Sequence, residues 1–547
     1  MNKDNSKICS TVEKGKNSDC NGKGDAKKEE DSTLEIEKGE SRKPDRTLLT
    51  YKAFYFLFFA GFGSTFPYLT IYFKQIGLTA SHVGTLSGIR PLVQFVSGPI
   101  WAYIADKYRC RKVVLCMSVI AWIVFTLALA FPHEKKTKCH VLNSTNHFIQ
   151  KRNIPRAPSY PGLPLAPIST AASESLLANK KSTIITFSDV YQENVRTEII
   201  IHDPYEIKYL FYVLLILIVV GEVFEAPSFI MIDTALIQKL GDKCHEYGKT
   251  RCFGSMGYGL ASFGVGAVLD STRYVYCGHE MNNYMVIFYF FVVFMVIGLI
   301  FVLALFSFKY NEESQKSFSS ILEVYKLCSS PKYATFLLTV WFMGTCNGGQ
   351  VTFINWYLED LGASKFMMGM TTTIRATAVI VGFFCSGMVI NKLGELTSVF
   401  WSLLFFAFIF FGYSYLFNPW LVIPLEILQG LVYAISWSTC IVYLSSVTPD
   451  DGAATMQSIL QGIYWGLGTG IGAILGGVLI NHYGIVLAYR LGGIATVLVT
   501  LYFVVSQWLV KKYDDSADMS IEEDKKLMPR KDNDNANEHC IIGEKVE

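Results

Sequence analysis

Twelve runs of about 20 mostly apolar residues recur along the chain. They start near Tyr51, His82, Val113, Ile207, Cys252, Tyr284, Ala334, Phe366, Thr397, Pro419, Thr455 and Ile485, and the last ends near Val510. A helix of about that length crosses a bilayer core. Composition agrees: the chain is 51% hydrophobic but only 17% charged, against about 25% charged for a soluble globular protein. That excludes a soluble enzyme and a disordered protein. The 48 Lys+Arg nearly balance the 46 Asp+Glu, which gives no signal for nucleic acid. The 13 cysteines show no CxxC or CxxH spacing, so no metal site is expected. The expected fold class is an all-α polytopic membrane protein that is not an enzyme.

The polar stretches divide the chain. Residues 1–50 hold 11 Lys/Arg and 11 Asp/Glu with few apolar residues, and read as a disordered cytosolic tail. Helices one to six occupy 51–308, a polar linker 309–333, helices seven to twelve 334–510, and a second charged tail, also expected to be disordered, 511–547. Short-loop cations set the orientation. Lys107, Arg109, Arg111 and Lys112 follow helix 2, and Lys239, Lys243, Lys249 and Arg251 follow helix 4. Lys309, Lys316, Lys326 and Lys332 lie in the linker, whereas the opposite loops hold single cations such as Lys74, Arg273 and Lys365. Both termini are therefore expected in the cytosol, with the long loop 132–206 on the other side. That loop carries the sequon Asn143-Ser144-Thr145, a candidate glycosylation site. Cys139 and Cys277 are the cysteines assigned to that side, either paired as a disulfide or both free.

The two halves repeat at an offset of 285 residues. Gly63 matches Gly348, Tyr72 matches Tyr357, Gly77 matches Gly362, Gly84 matches Gly369, and Ile89-Arg90 matches Ile374-Arg375. Six helices per half give both copies the same orientation, as in transporters built from two pseudo-symmetric bundles with a midplane site between them. The segment Ala102-Tyr103-Ile104-Ala105-Asp106-Lys107-Tyr108-Arg109-Cys110-Arg111-Lys112 resembles the loop 2–3 signature G-x-L-A-D-R-x-G-R-K of the major facilitator superfamily. Ala102 stands for its first Gly and Arg109-Cys110 for its second. A second stretch is Asp233-Thr234-Ala235-Leu236 followed by Tyr247-Gly248-Lys249-Thr250-Arg251-Cys252-Phe253-Gly254-Ser255-Met256-Gly257-Tyr258-Gly259. It resembles the helix 4–5 hinge of the branch containing major facilitator superfamily domain-containing protein 6 and, more remotely, bacterial oligosaccharide and nucleoside proton symporters. The resemblance covers roughly residues 50–510 and implies twelve transmembrane helices, alternating access, a central cavity lined by helices 2, 4, 8 and 10, and gating roles for Asp106, Arg111, Asp233 and Arg251. In the family the loop 2–3 acid meets the start of helix 11, here near Ala454-Thr455.

Charges inside membrane helices cost roughly 2.5–3.5 kcal/mol each on insertion scales. Five are evident: Arg90, Glu222, Glu225, Arg375 and Glu426. At 1.5 Å per residue, Arg90 and Arg375 sit about 24 Å above the cytosolic ends of their helices, Glu222 about 16 Å and Glu426 about 30 Å. Arg90 is thus paired in expectation with Glu222/Glu225, and Arg375 with Glu426. Such pairs serve either as a proton or substrate site or as fixed struts. Burial favours a neutral carboxylate and a neighbouring guanidinium favours a charged one, so separation that changes during transport couples protonation to access. Asn347, Gln350, Asn355 and Gln429 are further site candidates, since amides in hydrocarbon need partners or a watered cavity. Gly462, Gly466 and Gly470, with a second row Gly468, Gly472 and Gly476, permit close helix packing. The expected function is secondary active transport of a small polar solute by a monomer in a plasma membrane or endomembrane, with protons as the candidate coupling ion and no other cofactor. The alternative is a membrane receptor or scaffold that keeps the transporter fold and presents 132–206 to partners.

Overall fold

A computed structural model describes residues 46–132, 138–142, 197–201, 203–240, 247–276, 279–306, 308, 330–448 and 453–527. Among these, twelve long helices alternate in direction. The first six are α1 (Arg46–Gln75), α2 (Ala80–Lys107), α3 (Arg111–Ala128), α4 (Pro204–Leu240), α5 (Tyr247–Ser271) and α6 (Met285–Leu305). The second six are α7 (Pro331–Asp360), α8 (Lys365–Leu393), α9 (Glu395–Ser414), α10 (Val422–Val447), α11 (Met456–Tyr483, with a first turn from Ala453) and α12 (Ile485–Leu527). Ten are long enough and contain an apolar enough stretch to cross a membrane, by length and composition. The other two, α2 and α7, are 28 and 30 residues long and carry polar residues, Arg90 in α2 and Asn347, Gln350 and Asn355 in α7. Large apolar side chains such as Ile216, Phe408 and Leu498 face outward around the bundle, a surface that is stable against lipid.

Within each half the packing repeats. In the first bundle α1 lies on α5 and α6; in the second α7 lies on α11 and α12. The matched residues do matched work. Gly77 and Gly362 take φ of 91° and 79° in the α1–α2 and α7–α8 turns, a left-handed conformation open to glycine at little cost. The Tyr72 and Tyr357 hydroxyls donate to the carbonyls of Leu129 and Leu416, each in the loop after the third helix of its half. These tyrosines are therefore struts of the scaffold.

Two boundaries differ from expectation, and two strand pairs are added. Helix α1 begins at Arg46, and α12 continues to Leu527, past the expected end near Val510. The latter extension runs through Ala517, Met519, Glu522, Glu523, Lys525 and Lys526, all strong helix formers. The loop between α3 and α4 contains an antiparallel pair, β1 (Lys138–Leu142) with β2 (Thr197–Ile201), and a second pair, β3 (Arg273–Tyr276) with β4 (His279–Asn282), follows α5. Asn143, Cys277 and most of 309–333 lie outside the described residues, and Cys139 is described in its backbone alone.

Candidate functional site

The bundles close against each other on the face opposite the termini. A buried apolar cluster there runs through both halves, with Leu86 and Val265 from the first and Phe353 and Met367 from the second. Helix α2 meets α11 so closely that a Cβ on Gly84 would lie 2.9 Å from the Gly477 Cα. The first glycine row of α11 faces α2: Gly462 and Gly466 lie against Phe95, and Gly470 against the Gly88 backbone. The second row faces α7 within its own bundle. The π-helical turn Gly462–Gly468 interrupts α11 where it touches both partners.

Polar contacts reinforce that closure. Lys74 of α1 reaches Glu359 (2.9 Å) and Asp360 (2.6 Å) at the end of α7, and Lys365 pairs with the same Glu359. Asp270, at the end of α5, accepts the Lys365 and Phe366 backbone N–H groups at 3.1 and 2.8 Å. One bundle thus caps the N-terminus of a helix in the other, where a carboxylate meets free N–H donors and the positive end of the helix dipole. Arg273 holds Asp270 in place at 3.1 Å. The sequence presented Lys74, Arg273 and Lys365 only as isolated loop cations; Arg273 and Lys365 have carboxylates close by in the chain, Asp270 and Glu359, whereas the partners of Lys74 lie across the repeat, which spacing does not reveal.

Beneath this seal lies a cavity of about 170 Å³ between the bundles. Arg90 and Arg375, equivalent in the repeat, both line it, together with Ser87, Tyr258, Thr352 and Asn355. Arg90 is 8% exposed, its guanidinium 4.9 Å from the Phe66 ring centre and its Nη1 3.3 Å from Glu222 Oε1. The second Glu222 oxygen accepts 2.6 Å from Gln94. Glu225 is buried beside them, within the field of both Glu222 and Arg90. In the other bundle Arg375 Nη1 donates to Glu426 Oε2 at 3.1 Å, and Tyr413 donates to Glu426 Oε1 at 2.8 Å. Tyr258 stands in the same cavity wall as Arg375, from the first bundle. The side chains of Glu222, Glu225 and Glu426 stand behind the arginines and do not line the cavity.

The acidic pair of α4 sits at a break in the helix. Pro227 has no N–H to give the Val223 carbonyl, and Trp101 Nε1 takes that place at 2.6 Å. Ser228 Oγ donates to the Glu225 carbonyl at 2.7 Å and accepts from Trp122 Nε1 at 3.1 Å. The break is thereby fixed from α2 and α3. Pro227 was the signal in the sequence for this kink; Gln94, four residues after Arg90 and so on its helix face, was the signal for the second Glu222 partner. Tyr413 had no such signal, because its partner Glu426 lies on another helix.

The amides separate into two groups. Asn355 Nδ2 donates 2.6 Å across the bundle interface to the Pro67 carbonyl, and both residues line the cavity. Asn347 and Gln429 bond each other at 3.2 Å within the second bundle, away from the lining, and Gln350 is buried there too. On the face of the termini, Asp106 accepts 2.5 Å from Arg111 Nε with its carboxylate half exposed. Arg109, standing for the second glycine of the signature, takes the left-handed φ of 50° that such a glycine supplies. Asp233 accepts from Arg251 at 3.0 Å and from the Tyr55 hydroxyl at 2.6 Å, and Arg251 also reaches Tyr247 at 2.6 Å. These four tie α1, α4 and α5 together within one bundle.

The MFS_1 like family matches residues 48–491. Major facilitator superfamily domain-containing protein 6-like protein A of Xenopus laevis is 22% identical over 305 residues, 54% of this chain and 49% of that protein; the chain spans about half the length of the first such relatives. The 6-like protein of Danio rerio is 19% identical over 84% of this chain and 87% of its own length, and the uncharacterized transporter YwbF of Bacillus subtilis 22% identical over 83% and 93%. Among solved structures, the nucleoside transporter NupG superposes with a TM-score of 0.60 at 14% identity, covering 84% of this chain and 98% of its own. A D-xylose-proton symporter reaches 0.53 at 13%, over 83% and 96%. The chain belongs to the MFS_1 like family, with the twelve-helix, two-bundle fold of major facilitator superfamily transporters.

Proposed function

We propose that the protein is a secondary active transporter that carries a small polar solute across the membrane by rocking its two bundles around the central cavity. The observation that carries this reading is the cavity itself, walled by both bundles, lined with guanidinium, hydroxyl and amide groups, and sealed on one face by contacts between bundles. Its volume, about 170 Å³, lies below the roughly 300–1,000 Å³ of pockets for drug-sized ligands, so the solute is small. The loop cations place the termini in the cytosol, which makes the sealed face the outer one and the state inward-facing. A plasma membrane or endomembrane is the setting, and one chain suffices, because both bundles of the site come from it.

Protons are the coupling ion in this reading, and Glu222 with Glu225 the carrier. Arg90 stabilises the Glu222 carboxylate from 3.3 Å, and both lie in the first bundle. The coupling step is therefore a shift of α2, which also packs on α11 of the other bundle, against α4; it lengthens this contact and releases the carboxylate to bind a proton. The solute is first found by a metabolite-uptake screen in cells with and without the protein. Uptake against an imposed pH gradient is then compared with counterflow for wild type and Glu222→Gln. The variant loses gradient-driven accumulation and keeps exchange. Retained accumulation removes Glu222 as the essential carrier, and a wild type indifferent to the gradient makes the protein a uniporter. Absence of any solute difference in the screen favours the receptor reading.

A further inference from the structure

We infer that the central cavity binds a small organic anion, with its carboxylate or other oxyanion held between Arg90 of the first bundle and Arg375 of the second. The inference deepens the transport reading of this cavity and rests on it. Three observations lead to it. First, the repeat places one arginine in each half, and both reach the same cavity. Second, among the described residues the lining contains no carboxylate. Glu222, Glu225 and Glu426 stand behind the guanidinium groups, so a solute in the cavity meets the cations and not their counter-ions. Third, the guanidinium groups keep donors to spare. Arginine carries five N–H donors in a planar fork. Arg90 Nε and Nη1 are enclosed by protein, with Nη1 3.3 Å from Glu222. Arg375 spends Nη1 on Glu426. That leaves Nη2 of each guanidinium as the donor available at the cavity wall.

A planar oxyanion matches guanidinium donors with short charge-assisted bonds. Phe66 stacks near Arg90, and Glu426 accepts from Arg375, so each guanidinium is held at the wall before a ligand arrives. A strut alone would direct the donors at the partner carboxylate within the bundle. Here Nη1 of each arginine is directed at its carboxylate, while both side chains also form part of the wall of the open volume between the bundles. Ser87, Thr352 and Asn355 supply hydroxyl and amide partners for the rest of a small polar molecule. Because the two arginines belong to different bundles, an anion that touches both favours the conformation in which they stand close.

The test uses the full-length protein purified in detergent and follows its thermal unfolding in millimolar lactate, succinate or methylphosphonate. Each is matched by its uncharged counterpart: lactamide, succinamide or dimethyl methylphosphonate. At least one anion should raise the melting temperature, and its counterpart should not; carboxylate against phosphonate identifies which oxyanion fits. Arg90→Gln and Arg375→Gln should each weaken that anion by about tenfold to a hundredfold, the loss of a charge-assisted pair. Arg90→Lys and Arg375→Lys keep the charge but lose the fork, and should fall in between. If the glutamine variants fail to fold, the lysine variants and the matched pairs still decide. Equal stabilisation by acid and counterpart, no stabilisation by any of the three anions, or wild-type affinity in the arginine variants overturns the inference. Counterflow of the stabilising anion in proteoliposomes separates the two levels. Arginine-dependent binding without counterflow keeps the anion site and removes transport. Counterflow of an uncharged solute that survives both arginine substitutions keeps transport and removes the anion site.

Discussion

Replacing Asp270 by Ala should open the sealed face. In the closed state its carboxylate caps α8 from the other bundle, accepting the Lys365 and Phe366 N–H groups at 3.1 and 2.8 Å. Losing a side-chain cap costs about 0.5–2 kcal/mol, and losing a negative charge at a helix N-terminus about 0.3–1 kcal/mol more. Separation of α5 from α8 breaks the cap in wild type as well, so nearly all of this cost falls on the closed state. The closed-to-open ratio should therefore drop by about 1–3 kcal/mol, or about five- to 150-fold. Spin labels on cysteines placed at Tyr205 and Phe417, exposed positions in different bundles on that face, report the separation by pulsed dipolar spectroscopy once the native cysteines are replaced. The variant should gain a longer-distance population. Asp270→Asn, which keeps one acceptor, should show a smaller gain. An unchanged distance distribution in Asp270→Ala would refute the assignment of the cap as a gate element.

Two further outcomes follow from the site. Asp106→Asn should slow transport while leaving membrane expression close to wild type, because its Arg111 contact lies in a half-exposed turn; kinetics equal to wild type would reduce the acid to a marker of topology. Trp101→Phe removes the donor that replaces the missing N–H of Pro227 at the Val223 carbonyl. It should cost about 1–3 kcal/mol of stability, seen as a lowered melting temperature in detergent, and an unchanged melting temperature would show that the broken helix needs no partner there.

The fold was legible because its strongest determinants are local. Length and hydropathy mark each helix, and the 285-residue repeat from Gly63/Gly348 to Arg90/Arg375 marks the bundle symmetry. Intramembrane charge was equally visible, since each of the five charged residues stands out against an apolar run, and opposite signs at similar depth pointed to the pairs seen at 3.3 and 3.1 Å. What spacing did not carry was the relation between bundles. Lys74 with Asp360 and Asp270 with the start of α8 join residues about 100 to 290 positions apart, and such pairs follow from docking of whole bundles rather than from any helical period. The same limit separated the amides: Asn355 reaches across the interface, whereas Asn347 and Gln429 satisfy each other inside one bundle. The helical extension to Leu527 was missed for a different reason, because a charged segment was read by its lack of apolar surface and not by its helix propensity.

The claim on which the account rests is that the cavity under Arg90 and Arg375 opens alternately to the two sides of the membrane. The direct measurement is labelling of a single cysteine at Ser87, in the cavity wall, by a membrane-impermeant maleimide applied from either side of oriented proteoliposomes, in the wild-type background and with Asp270→Ala. The account predicts labelling chiefly from the side of the termini in wild type and a rise in labelling from the opposite side in the Asp270 variant. Labelling from one side only in both proteins, unmoved by the Asp270 substitution, would contradict it.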